Sequence, residues 1–190
     1  MKKTKNSLKI TAILCVFFFL LSCNNIVGTH DKSSVMLTVT RIYGMDLEGG
    51  DADYLMSDVF TAGSYLTNPV TVTLEAKFKN PEPLVPGSSY KTSIMIDRYT
   101  VTYTSPEGDP VPVAFEGRLA AVCEVDASVD LDILAVRAEA KAVAPLNALI
   151  GTLNVIWAVA EIRFIGHDLA GNGVEATGYL TIYFADWDDS

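Results

Sequence analysis

VIWAVAEIRFIG (155–166), HDLAGNG (167–173) and VEATGYLTIYFA (174–185) follow one another in this chain, and their reading decides the fold. In the third stretch Val174, Ala176, Gly178, Leu180, Ile182 and Phe184 fall on one side. Glu175, Thr177, Tyr179, Thr181 and Tyr183 fall on the other. A two-residue period belongs to an extended strand, whose successive side chains point to opposite faces. One apolar and one polar face mark a strand that covers a core on a single side. Between the two apolar stretches, Asp168, Gly171, Asn172 and Gly173 are residues that accept positive φ in a tight loop. Residues 155–185 are therefore predicted to form an antiparallel hairpin.

The same texture extends back through the chain. In VTVTLEAKFK (70–79), Val70, Val72, Leu74, Ala76 and Phe78 oppose Thr71, Thr73, Glu75, Lys77 and Lys79. Val35, Leu37 and Val39 alternate with polar or flexible neighbours in a first strand. NPEPLVPGSS (80–89), with three prolines, is a loop. YKTSIMIDRYTVTYT (90–104) is a long strand in which the phase of Ile94 and Ile96 does not match that of Tyr99, Val101 and Tyr103. A bulge near Asp97-Arg98 reconciles the two halves. Further strands are expected at 111–122 and 129–140. Residues 142–154, with Pro145 and Gly151, read as a crossing connection containing a helical turn, and 43–69 as one long loop. The prediction is an all-β, antiparallel sandwich of about seven strands, forming one domain over residues 35–190.

FIGHDLAGNGVEATGYLTI (164–182) resembles the last hairpin of bacterial immunoglobulin-like domains, which carry an Asp-x-Ala-Gly-Asn turn. The match falls on Asp168, Ala170, Gly171 and Asn172. It is specific over about 30 residues, and the strand rhythm carries it further. The resemblance implies an immunoglobulin-like β-sandwich, without the Cys–Trp–Cys pattern of antibody domains. The whole chain is similar to uncharacterised bacterial lipoproteins bearing one such domain. That similarity implies no activity, because such sandwiches serve adhesion, scaffolding and carbohydrate binding alike.

The amino terminus supplies an address. Lys2, Lys3, Lys5 and Lys9 precede an apolar run from Ile10 to Leu21, which is too short to span a bilayer core. A basic start, a short apolar stretch and a small residue describe a secretory signal peptide, residues 1–22. Leu20-Leu21-Ser22-Cys23 resembles the lipobox of bacterial lipoproteins, which implies cleavage before Cys23 and acylation of its thiol and new amine. The competing reading is an ordinary cleaved signal with an incidental cysteine. Several acyl chains would hold the domain at a membrane without a spanning segment. Asn24, where retained inner-membrane lipoproteins carry Asp, leans toward the outer membrane of a bacterial envelope. Residues 23–34 read as a flexible tether.

Removing residues 1–22 takes away four lysines and no acid, leaving 10 basic and 23 acidic residues and a net charge of −13. Such a surface repels phosphate backbones and argues against nucleic acid as a partner. The expected partners are the membrane, through the lipid anchor, and an envelope protein or glycan. Apart from Cys23 the mature chain keeps one cysteine, Cys123, so no disulfide forms within it. Its apolar surroundings suit a small buried residue rather than a reactive thiol.

Candidate chemistry is sparse. Neither His30 nor His167 belongs to a nucleophile motif, and with Cys123 they do not assemble a zinc site. No catalytic residue and no cofactor are expected. Asp46, Glu48, Asp51 and Asp53, in MDLEGGDADYLMSD (45–58), are weak calcium candidates. Their spacing is not that of an EF-hand, and a solvated acidic loop is the simpler reading. The functional expectation is a non-catalytic binding or adhesion module whose loop 43–69, with Tyr43, Tyr54, Phe60 and Tyr65, makes contacts. The alternative is an accessory subunit of an envelope assembly, with an enzyme the least favoured.

Overall fold

The computed structural model describes residues 33–80 and 93–187. The signal peptide, Cys23, His30 and nearly all of the tether lie outside the described residues. The described chain is almost entirely extended and forms two packed sheets. One has the order β2-β1-β4-β7, with β1 at Val35–Met45, β2 at Asp51–Ala52, β4 at Asn68–Phe78 and β7 at Ala127–Val136. The other has the order β3-β9-β8-β5-β6, with β3 at Tyr54–Asp58, β5 at Ser93–Thr104, β6 at Phe115–Glu124, β8 at Ile156–Asp168 and β9 at Gly173–Ala185. Pairing is antiparallel throughout except between β3 and β9.

The opening hairpin is found where its pattern puts it. β8 and β9 pair from Ile156↔Phe184 to His167↔Gly173. Ala158, Ala160, Ile162 and Phe164 of β8, with Ala176, Leu180, Ile182 and Phe184 of β9, are buried. Val70, Val72, Leu74 and Ala76 of β4 meet them from the opposing sheet. Burying each of the larger of these side chains contributes about 1.5–3 kcal/mol, so the alternation itself is what drives the two layers together. Tyr103 and Tyr99 pin the sheets: the Tyr103 hydroxyl donates to the Ala135 carbonyl, and the Tyr99 hydroxyl accepts the Leu134 N–H at 3.1 Å. The phase break in β5 is a bulge, with registers shifting between Ile96 and Arg98 against both β6 and β8.

Two differences from the sequence reading matter. There are nine strands among the described residues, because 43–69 is not a continuous loop but contains β2 and β3. And β7 ends at Val136, short of the expected 140, where the chain turns into a short helix α1, Ala138–Lys141. A 3-10 turn at Leu146–Leu149 follows and buries Leu146 and Leu149. This connection carries the chain from one sheet to the other. Among the described residues no helix is long and apolar enough to cross a membrane.

Candidate functional site

β1 turns into β2 through a five-residue loop organised by Asp46. Its Oδ1 accepts the N–H groups of Glu48 at 2.9 Å and Gly50 at 2.7 Å, and Gly49 takes φ +82°. Asp46 thus belongs first to turn chemistry. The chain then changes sheets between Ala52 and Tyr54. It does so against Gly44, where a Cβ would lie 2.1 Å from the Tyr54 carbonyl oxygen. Only glycine permits that approach.

β3 enters the second sheet with Leu55, Ser57 and Val59 inward. The Ser57 hydroxyl donates to Asn68 Oδ1 at 2.8 Å, so its inward oxygen is paired. At the end of β3, Asp58 ties four parts of the chain together. Its carboxylate accepts the Phe60 N–H at 3.3 Å, the Thr61 hydroxyl at 2.6 Å and the Trp187 backbone N–H at 3.2 Å. Its main-chain carbonyl accepts Lys141 Nζ at 2.6 Å. The loop beyond is closed by paired backbone bonds between Thr61 and Ser64 and by the Phe60 and Tyr65 rings, with centroids 5.2 Å apart.

These turns leave a cavity of about 630 Å³ at one end of the sandwich. Met45, Leu47, Met56, Leu66 and Trp187 supply its apolar lining, and Asp46, Asp58 and Lys141 its charges. Thr61, Thr67 and Asn68 add neutral polar lining, and a concave site that mixes apolar surface with polar groups is a usual form of a small-molecule or peptide pocket. Leu47 and Leu66, at 58% and 51% exposed, place apolar surface in solvent at this end. Lys141 is the reverse case, a cationic side chain only 1% exposed. Burial lowers its ammonium pKa to about 8, and the nearby Asp58 charge opposes that shift. The Trp187 indole N–H is also buried, with no acceptor among the described residues.

Of the calcium candidates, Asp46 is spent on the turn, Asp51 begins β2, and Asp53 sits at the sheet crossing. Among the described residues no three His, Cys, Asp or Glu side chains gather where they could hold a metal ion. His167 meets Asp97, the bulge residue of β5, with Nδ1 2.9 Å from Oδ2, and both side chains are solvent-exposed. Near them Arg98 and Arg118 stand opposite each other across β5 and β6, lining a shallow hollow of about 330 Å³ with Asp97 and Glu116. Cys123 is buried, with its Sγ near the carbonyls of Leu74 and Ala127, and burial pushes its thiol pKa up.

Most of the cavity lining comes from the segment 43–69. Lys141 and Trp187 were not anticipated. A lysine in AEAKAVA reads as a surface residue, since lysine is almost never fully buried. Compared with known proteins, the chain matches no protein-family model and no curated protein sequence.

Proposed function

We propose that this chain is a lipid-anchored protein of the bacterial cell envelope that binds a ligand non-catalytically, through the cavity at the β3 end of its sandwich. The observation that carries the binding reading is the cavity itself. At about 630 Å³ it exceeds the 330 Å³ hollow beside Arg98 and Arg118, and its walls come mainly from one irregular segment held on a rigid two-sheet frame. Loops positioned by a rigid scaffold are where binding residues concentrate. The address rests on the signal-peptide pattern and Leu20-Leu21-Ser22-Cys23. The order β2-β1-β4-β7 against β3-β9-β8-β5-β6, with consecutive strands switching sheets, supports the immunoglobulin-like resemblance.

The accessory-subunit alternative gains less support. The open face of the larger sheet is mixed: Thr100, Thr102, Glu161, Arg163, Glu175 and Thr177 are interspersed with exposed Met95, Val122 and Tyr179 rather than forming one continuous apolar patch. Photo-crosslinking in intact envelopes tests the proposal, with a photoreactive residue at Leu47, Leu66 or, as control, Thr102. Defined adducts from Leu47 and Leu66 but not Thr102 are expected. Adducts from Thr102 alone would move the binding surface to the sheet face.

A further inference from the structure

We propose that the cavity takes an amphipathic monocarboxylate, with its acid group on Lys141 and its apolar part against Met45, Leu47, Met56, Leu66 and Trp187. This rests on the reading of the cavity as the binding site, and adds the chemical class of its occupant.

The argument starts from an unspent cation. An ammonium has three N–H donors. Lys141 Nζ uses one on the Asp58 carbonyl, and no second acceptor for it occurs among the described residues. The Asp58 carboxylate acts on the ammonium through its charge but takes its hydrogen bonds from Phe60, Thr61 and Trp187. A buried cation short of acceptors is unfavourable unless something else supplies them. The open volume adjoining this side chain is the cavity. A backbone tether from α1 to β3 would have been available to a shorter, neutral donor. The choice of lysine leaves two charged donors beside a greasy hollow.

The charges select among anions. Asp46 and Asp58 already line the cavity, against one ammonium. A doubly charged phosphate would meet two carboxylates with a single cation. A monocarboxylate adds one charge and accepts two short charge-assisted hydrogen bonds. The five apolar lining residues then need an apolar body to cover them.

Binding should follow the ammonium. The charged groups around it are Asp58 on β3 and Asp46 across the cavity. Glu139 on its own helix is exposed, Asp186 accepts the Gly151 N–H, and Arg137 lies over the Phe115 ring. With burial holding the Lys141 pKa down to about 8, the cation is present at pH 7 and lost by pH 9.5.

The test uses the full chain with ¹³C-methyl methionine, because Met45 and Met56 line the cavity while Met36 and Met95 lie on the strands β1 and β5, outside its lining. The probes are 4-phenylbutyrate and its neutral amide. The acid is expected to shift Met45 and Met56 saturably at pH 7, about tenfold more tightly than the amide, and to lose that preference at pH 9.5. In Lys141→Met the two probes should bind alike, with Met36 and Met95 resonances unchanged as the check on folding. Equal binding of acid and amide to the unaltered chain would overturn the assignment of Lys141 while leaving the cavity a binding site. No shift with either probe would overturn the monocarboxylate class, and crosslinking from Leu47 would then decide the cavity reading separately. The acid-against-amide comparison needs no variant, so a misfolded Lys141→Met leaves the test decisive.

Discussion

Asp168 carries two jobs in one side chain. It ends β8, and its Oδ1 accepts the N–H groups of Ala170 and Asn172, both at 2.9 Å, which closes the β8–β9 loop. Burial pushes its carboxyl pKa up, but hydrogen bonds from Asn172, Ser33 and Ala170 outweigh that and hold it below the ordinary value. A lowered folded pKa means the stabilisation is fully present above the unfolded value near 4 and is lost as pH falls through the folded one. Asp168→Ala is expected to lose about 2 kcal/mol at pH 7 and proportionately less near pH 2, measured by urea unfolding. Lys141 gives the opposite sign. Its folded pKa, about 8, lies below the unfolded value near 10.4, so the unfolded chain binds more protons between them. Stability of the native chain relative to Lys141→Met should therefore rise from pH 8 to pH 10. A difference that stays flat over that range would show the amine is not held in a desolvated place.

At the scale of elements, the clean period-two strands were legible because one face of each is buried and the other wet. β4, β8 and β9 show this along their length, and the bulge in β5 announced itself as a slip between Ile96 and Tyr99. β3 was not legible, and the reason is local. Its inward positions are Leu55 and Ser57, with Val59 just beyond its end, and the serine breaks the apolar run that a strand reading needs. Met56 on the opposite side further blurs the contrast. β2 is two residues long, which no periodicity can reveal. The sheet change between β2 and β3 depends on Gly44, which looks unremarkable in RIYGMD. Gly44→Ala would put a Cβ 2.1 Å from the Tyr54 carbonyl oxygen and 2.9 Å from Leu55 Cα. A loss of about 2–3 kcal/mol is expected in thermal or urea unfolding, with the cavity lining disturbed as β3 shifts. A neutral substitution would mean that β1 and β3 do not meet as described.

For the whole molecule, the sequence told fold class better than site. The two-layer architecture follows from alternating strands and turn residues alone. The cavity does not, because it joins residues from β1, β3, α1 and the segment after β9, up to 142 positions apart between Met45 and Trp187. Tertiary convergence of that kind leaves no spacing to read. The segment 43–69 stood out in the sequence for its tyrosines and acids, whereas the buried Lys141 did not. Under the proposed anchoring, function also depends on where the domain is held. Three acyl chains at Cys23 would fix it to a membrane by way of a short tether, so that ligands are met at a surface rather than in bulk. The proposed anchoring stands or falls most directly on the intact mass of the protein purified from a lipoprotein-processing bacterium, beside Cys23→Ala. It predicts a mature chain beginning at Cys23 with added acyl mass, and no such species in the variant. An unacylated, freely soluble chain from the unaltered sequence would contradict it.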